Sequence, residues 1–144
     1  MERGYINIKE DESGHFTVEA KLVNGTLWLS EWEIARLFNT FTTTIGNNFR
    51  AIFKSGLLNE RKVSYEYVES DGKSRCILFN FEAILFVSYR INTLEARAFR
   101  EWALKSVSEY TRNNNNSKRN IVINYNMGNR SSTILQLILL WINL

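Results

Sequence analysis

The chain lacks proline altogether and has one cysteine and one histidine among its 144 residues. Without proline, its turns must be made by glycine, asparagine and aspartate. A single cysteine excludes a disulfide scaffold within the chain and is typical of a reducing compartment. A single histidine excludes the usual histidine-based zinc or iron cluster, so we expect no metal site and no cofactor.

Long apolar runs are also absent. The longest nearly apolar stretch is 134–144, which is too short to cross a bilayer, since a spanning helix needs about 20 residues. The first residues show no apolar core of a secretory signal. We therefore expect a cytoplasmic protein with no membrane partner.

The net charge of +3 arises from the end of the chain, where Lys118, Arg119 and Arg130 are the only charged residues after Arg112. Without these three, the remaining basic residues of the 18 match the 15 acidic ones. Bulk charge therefore does not argue for a nucleic-acid partner. Local charge does, because the window 34–59 has basic residues and no acidic one.

Turn and periodicity signals divide the first half of the chain. Asn24-Gly25 between alternating apolar residues predicts a β-hairpin over about 15–29. Ser30 and Glu33 form a capping-box pattern that predicts a helix over 31–38. After a turn at Asn39, the spacing predicts a second helix over 42–54, capped by one of the threonines at 42–44 and stopped by Gly56.

The second half predicts another hairpin, from 63–68 and 75–81 around Asp71-Gly72. Residues 82–89 fit either a buried helix or a strand, and a long helix follows Thr93. The predicted class is α+β: an N-terminal β-hairpin, a helix-turn-helix, a wing-like β-hairpin and a long C-terminal helix, resembling a winged helix. We place a domain boundary near 112, with 113–144 as an asparagine-rich linker and a short apolar tail.

The two predicted helices at 31–54 have the spacing of a helix-turn-helix, whose second helix enters the major groove in DNA-binding proteins. Threonine and asparagine reach phosphates or base edges, and arginine and lysine hold phosphates. Gly46 is expected on the same outward face. The residues predicted to contact nucleic acid are Thr42, Thr43, Thr44, Asn47, Asn48, Arg50, Lys54, Lys73 and Arg75.

No catalytic constellation is visible, so we do not expect an enzyme. The chain has no glycine-rich phosphate loop of standard spacing. Cys76 is expected to be a small buried residue and His15 to lie in a solvated turn. Arg90 and Asn92 have two interpretations: either they contact DNA, or Asn92-Thr93 caps the long helix while Arg90 pairs with a carboxylate such as Glu82.

Several segments resemble one known family. The opening of the RhuM virulence-associated protein family is similar to 28–30 and 35–38, followed by Ile45, Ile52-Phe53 and Gly56. The stronger similarity is to that family's "YNLDAI…VGYRVNS…FRxWA" signature, in 79–84, 87–93 and 99–103. The order and spacing match over about 16–112. The second predicted helix departs at Gly46-Asn47-Asn48, where that family is usually more basic.

The resemblance implies a bacterial, virulence-associated protein that binds DNA, and it supports the expectation of a double-stranded DNA partner. The alternative is a protein–protein interaction module without nucleic-acid binding. In that case the apolar end at 134–144 docks on a protein partner or joins copies of the chain into a homo-oligomer.

Overall fold

The computed structural model describes residues 2–115. It contains β1 (Tyr5–Glu10), β2 (Phe16–Lys21), β3 (Trp28–Ser30), α1 (Glu31–Leu37), α2 (Thr42–Ser55), α3 (Glu60–Val63), β4 (Ser64–Val68), β5 (Arg75–Asn80), α4 (Phe81–Ser88) and α5 (Leu94–Asn115). The predicted α+β class is confirmed. The chain divides into two units after Arg100, and each is described by itself. The predicted boundary near 112 stays a prediction, and most of the predicted tail lies outside the described residues.

The strands of the first unit form two antiparallel sheets. β1 pairs with β2 along their whole length, from Tyr5 opposite Lys21 to Glu10 opposite Phe16. The second sheet has the order β3-β5-β4. Its central strand β5 places Asn80 opposite Trp28 on one side and Arg75 opposite Val68 on the other.

The predicted hairpin over 15–29 is wrong in its pairing. The Asn24-Gly25 turn does form, with φ of 53° and 77°, and Val23 and Thr26 exchange backbone hydrogen bonds of 2.8 and 3.2 Å. Pairing then stops, because β2 takes β1 as its partner and β3 takes β5. The turn therefore connects two sheets and does not close a hairpin.

The two predicted helices of the helix-turn-helix are confirmed as α1 and α2. The Ser30 hydroxyl accepts from the Glu33 N–H, and the Glu33 carboxylate accepts from the Ser30 N–H at 2.8 Å, which completes the capping box. Asn39 takes a left-handed conformation, with φ of 50°, in the turn. Gly56 ends α2 with φ of 78°.

The predicted threonine cap of α2 is wrong. The N-cap residue is Phe41, which offers no side-chain hydrogen bond. Its carbonyl accepts from the N–H groups of Thr44 and Ile45 at 3.0 and 3.2 Å. The backbone turn after Asn39 thus starts the helix one residue early, and all three threonines fall inside it.

The second predicted hairpin is confirmed as β4 and β5, and the short helix α3 before it was not predicted. Of the segment 82–89, residues 82–88 are helical, as most of α4, and Tyr89 is its C-cap. The Asn80 side chain caps α4 by accepting from the Ala83 N–H at 3.0 Å. The Thr93 hydroxyl accepts from the Ala96 N–H at 3.2 Å at the start of α5, which confirms the capping role predicted for this threonine.

Aromatic packing holds α2 on the second sheet. Phe49 of α2 stacks on Phe79 of β5 with ring centroids 4.1 Å apart, and Phe53 stacks on Phe49 at 5.7 Å. A second aromatic cluster places Phe99 of α5 against Phe38 at 5.3 Å and Phe81 at 5.9 Å. Phe49, which is buried, and Phe53, which is half-buried, therefore fix which face of α2 points outward.

The described part of the second unit continues α5 from Glu101. Lys105 and Glu109 approach within 4.0 Å as an exposed i,i+4 ion pair, and the hydroxyl of Ser106 donates to the Trp102 carbonyl at 2.9 Å. Within residues 2–115, no helix combines the length and the apolar character needed to cross a membrane.

Candidate nucleic-acid interface

The outward face of α2 is a continuous polar stripe. Thr43, Asn47, Arg50 and Lys54 are exposed and recur at the spacing that keeps side chains on one helix face. We call these residues the α2 outer face. The opposite side of the helix buries Ile45, Phe49 and Ile52 in the core. Thr42 is also exposed at the first turn, whereas Thr44 is half-buried on the flank.

Arg50 is held within the α2 outer face by its neighbours. Its guanidinium donates to the Asn47 side-chain oxygen. The carboxylate near it is that of Glu31 on α1: burial raises the pKa of Glu31, and the positive charge of Arg50 opposes that rise. Glu31 is half-buried, whereas Arg50 is exposed.

Gly46 does not lie on the outward face, which corrects the prediction. It is buried, and a Cβ added there would lie 3.0 Å from the Glu31 carboxylate. The absence of a side chain at Gly46 therefore makes room for α1, not for DNA. Such a helix-interior glycine costs about 1 kcal/mol relative to alanine, and close packing of α1 offsets that cost.

Asn48 is engaged on both ends of its amide. Its Nδ2 donates to the Thr44 carbonyl at 2.9 Å, and its Oδ1 accepts from Arg90 Nε at 2.8 Å. The predicted pairing of Arg90 with Glu82 is therefore wrong. The charge that acts on Glu82 is that of Lys62: burial raises the pKa of Glu82 and Lys62 opposes the rise.

The predicted contact residues of the second hairpin lie at its tip, which we define as Glu66, Glu69, Asp71, Lys73 and Arg75. All five are exposed. Arg75 approaches the carboxylate of Glu66 at 3.4 Å. Asp71 accepts from the N–H groups of Lys73 and Ser74 at 2.8 Å and from the Ser74 hydroxyl at 2.6 Å, which fixes the turn. Three acidic residues thus surround the two basic ones.

The sequence analysis missed one residue on this side of the first unit and did not predict the partner of another. Phe41 is 78% exposed directly before the threonines of α2. It continues the apolar spacing of Ile45, Phe49 and Ile52 but is the N-cap residue outside the helix, so the spacing gave no signal of its exposure. Arg90 meets Asn48 across 42 positions of sequence, and no local pattern reports such a contact.

A separate pocket lies on the other face of the second sheet. Its volume is about 260 Å³, and it is lined by Arg3, Ser30, Trp32, Glu33, Tyr67, Glu69 and Cys76. Cys76 is half-buried beside this pocket, which corrects the expectation of a fully buried cysteine. It pairs across strands with Tyr67, and alternation along β5 directs it away from the face on which Phe79 meets α2.

One wall of that pocket is the ion pair between Arg3 and Glu33. Both terminal nitrogens of Arg3 donate hydrogen bonds to the Glu33 carboxylate, at 3.1 and 3.0 Å. Burial alone would raise the pKa of Glu33, but hydrogen bonds from the Ser30 backbone and from Arg3 outweigh it and hold the pKa below its ordinary value. The carboxylate therefore serves the α1 cap and this ion pair.

Comparison of the chain with protein-family models, with curated proteins and with solved structures gives no match.

Proposed function

We propose that the chain binds double-stranded DNA, with α1 and α2 as a helix-turn-helix and α2 in the major groove. The observation that carries the proposal is the α2 outer face: an exposed threonine, asparagine, arginine and lysine in one stripe, on a helix held to the core by its opposite side. The sequence resemblance to the RhuM family supports the same function in a bacterial, virulence-associated setting.

Each residue of the α2 outer face has a chemical role in this proposal. Arg50 and Lys54 bind phosphates, which supplies affinity without sequence preference. Asn47 and Thr43 reach base edges, where asparagine pairs with adenine through two hydrogen bonds. Phe41 and Thr42 lie at the N-terminal end of α2, the end that contacts bases in this motif, and an exposed ring there suits a thymine methyl group.

The β4–β5 hairpin takes the place of a wing in a winged-helix arrangement. Lys73 and Arg75 lie at its tip and would contact phosphates beside the groove. We assign them a smaller share of the affinity, because Arg75 already approaches Glu66 and the tip carries Glu69 and Asp71 as well. Like charge repels the phosphates, so the acidic residues offset part of any gain.

The test is fluorescence anisotropy of a labelled random-sequence duplex titrated with the full chain at several salt concentrations. Each phosphate contact contributes about 0.9 to the slope of log affinity against log salt. Arg50→Ala/Lys54→Ala should therefore flatten the slope by about 1.8. Over the tenfold change from 1 M to 0.1 M salt, the double variant should then gain about sixtyfold less affinity than the unchanged chain. The loss should be similar for unrelated duplex sequences.

The matched control is Lys9→Ala/Lys21→Ala, which removes the same net charge from the β1–β2 sheet. Its slope should stay close to that of the unchanged chain. Equal slopes for both double variants would mean that bulk charge, not α2, drives binding, and would contradict the proposal. Circular dichroism of each variant establishes that the helices are intact.

A second candidate is a protein–protein interaction module. Leu57 and Leu94 favour it, since they are 71% and 63% exposed without serving the DNA proposal. The apolar segment 134–144, on which the expectation first rested, lies outside the described residues. If copies of the chain associate, light scattering should detect an oligomer of the full chain. The double variant Leu57→Ser/Leu94→Ser should weaken that oligomer. A monomer at every concentration contradicts this association.

A further inference from the structure

We propose that Arg90 is a phosphate-binding residue of the DNA interface, held beside α2 by Asn48. This inference rests on the proposed function and extends its contact surface to the corner between α4 and α5. Its basis is the hydrogen bond from Arg90 Nε to Asn48 Oδ1 at 2.8 Å. Arg90 is exposed, so a guanidinium from the corner sits next to the helix proposed to enter the groove.

The bond uses only the Nε–H of the guanidinium. The terminal N–H groups remain, and these form the fork that binds a phosphate through two hydrogen bonds. Among residues 2–115, Arg90 takes part in no ion pair. Glu95 accepts from Asn39 at 3.4 Å, and the charge of Lys62 opposes the rise that burial causes in the pKa of Glu82.

The corner that carries Arg90 is fixed from both sides. Arg100 donates to the carbonyls of Ser88 and Ile91, the latter at 3.0 Å. The Arg90 N–H itself bonds to the Val87 carbonyl at 2.9 Å. Since the backbone and the Nε are both held, little conformational freedom remains to be lost when a phosphate binds. Such preorganisation distinguishes Arg90 from a mobile surface arginine.

The position of Asn48 on α2 gives Arg90 a distinct role. Successive helix residues turn by about 100°, which puts Arg50 and Lys54 on one side of the line through Asn47 and Ala51. Asn48 lies on the other side of that line. A helix in the major groove has a sugar-phosphate backbone along each flank. Arg50 and Lys54 serve one backbone, and Arg90 supplies the cation for the other.

The experiment measures the salt dependence of binding to the random-sequence duplex for the full chain carrying Arg90→Ala. We expect the slope to flatten by about 0.9 and binding to weaken about eightfold at 0.1 M salt relative to 1 M. Arg90→Gln keeps a donor for Asn48 but not the charge, so it should lose the same slope and serves if Arg90→Ala fails to fold. Lys9→Ala is the charge-matched control.

The variant Asn48→Ala tests whether Asn48 positions Arg90 or itself contacts DNA. It leaves the Arg90 charge in place, so the slope should be retained while affinity falls about two- to threefold from lost preorganisation. A larger loss for Asn48→Ala than for Arg90→Ala would overturn the holding role. An unchanged slope for Arg90→Gln in a chain that otherwise binds DNA overturns this inference alone, whereas no binding by the unchanged chain overturns the proposed function with it.

Discussion

The α2 outer face and the tip of the β4–β5 hairpin each present two basic residues to solvent, yet their surroundings differ. Beside α2, Arg50 acts on the carboxylate of Glu31, which is half-buried. At the hairpin tip, Glu66, Glu69 and Asp71 are exposed among the basic residues. The two regions have the same number of lysine and arginine residues, but they differ in the exposure of the carboxylates beside them.

The difference shows how a nearly neutral domain can still present a surface for an anionic partner. Long-range attraction depends on net charge over distances of about a Debye length, roughly 10 Å at 0.1 M salt. The α2 outer face carries two basic residues and no acidic one, whereas the hairpin tip carries three acidic residues beside its two basic ones. We therefore expect α2 to control affinity and the hairpin to contribute little.

The largest expected effect concerns the packing that the two regions share. Phe49 is 2% exposed and stacks between α2 and β5, so Phe49→Ala should lower the free energy of unfolding by about 3–5 kcal/mol. Urea unfolding followed by circular dichroism measures the loss. Phe53→Ala is the matched control, since Phe53 is only half-buried and its removal should cost clearly less. Equal losses would mean that Phe49 does not couple helix and sheet.

The next effect compares the two regions directly. Lys73→Ala/Arg75→Ala removes the same charge as Arg50→Ala/Lys54→Ala, yet we expect it to weaken DNA binding at most about threefold at 0.1 M salt, against about sixtyfold for the helix pair. The reason is that Arg75 shares its charge with Glu66. Anisotropy titrations of both double variants give the ratio.

The complementary change should raise affinity if the hairpin approaches DNA. Glu66→Gln/Glu69→Gln removes repulsion and frees Arg75, so it should tighten binding about two- to threefold. If Lys73→Ala/Arg75→Ala weakened DNA binding as much as Arg50→Ala/Lys54→Ala does, the hairpin would contribute as much affinity as α2. That result would contradict the expected difference between the two regions.

Local signals predicted local structure well. The capping box at Ser30 and Glu33, the left-handed stops at Asn39 and Gly56 and the Asp71-Gly72 hairpin all appear as predicted. Each depends on residues within a few positions of one another. On the predicted outward face of α2, Thr42, Thr43, Asn47 and Arg50 are exposed, whereas Thr44 and Asn48 are half-buried. Gly46 is buried against Glu31 of the preceding helix.

Partners distant in sequence could not be predicted in this way. Asn24-Gly25 specified a turn but not which strands would pair, and β3 found its partner in β5 far along the chain. The pattern of β1 was present in the alternation of Ile6 and Ile8 with polar residues, and was overlooked beside the stronger turn signal. The link from Arg90 to Asn48 had no sequence signal, since either residue reads as an ordinary exposed polar group.

A smaller effect concerns one left-handed position in each region. Asn39 precedes α2 with φ of 50°, and Gly72 shapes the hairpin turn with φ of 67°. Alanine has a Cβ that this conformation disfavours, so Asn39→Ala and Gly72→Ala should each lower the free energy of unfolding by about 1 kcal/mol. Thermal unfolding by calorimetry measures both.

Asn39→Gly and Gly72→Asn are the controls, because glycine and asparagine tolerate positive φ. Each should change stability by less than the corresponding alanine variant. Alanine variants as stable as the unchanged chain would show that the left-handed turn at that position does not form in solution.

The smallest effect is a pair of opposite pKa shifts. Burial raises the pKa of Glu31 beside α2, whereas hydrogen bonds from the Ser74 hydroxyl and from the backbone of Ser74 and Lys73 lower the pKa of Asp71 at the hairpin tip. Carboxyl carbon NMR over acidic pH should show Glu31 titrating above its ordinary range and Asp71 below. Two shifts of the same sign would contradict the contrast between the regions.

Variants of the neighbours should move the two pKa values in the same direction for different reasons. Arg50→Ala removes a positive charge that stabilises the Glu31 carboxylate, so the Glu31 pKa should rise further. Ser74→Ala removes the hydroxyl hydrogen bond that lowers the Asp71 pKa most, so the Asp71 pKa should rise toward its ordinary value. The stability consequences stay opposite. The folded chain binds the Glu31 proton more tightly than the unfolded chain does, so stability falls as pH rises from the unfolded to the folded pKa. The folded pKa of Asp71 is the lower one, so its contribution is present above the unfolded pKa and is lost as pH falls through the folded pKa.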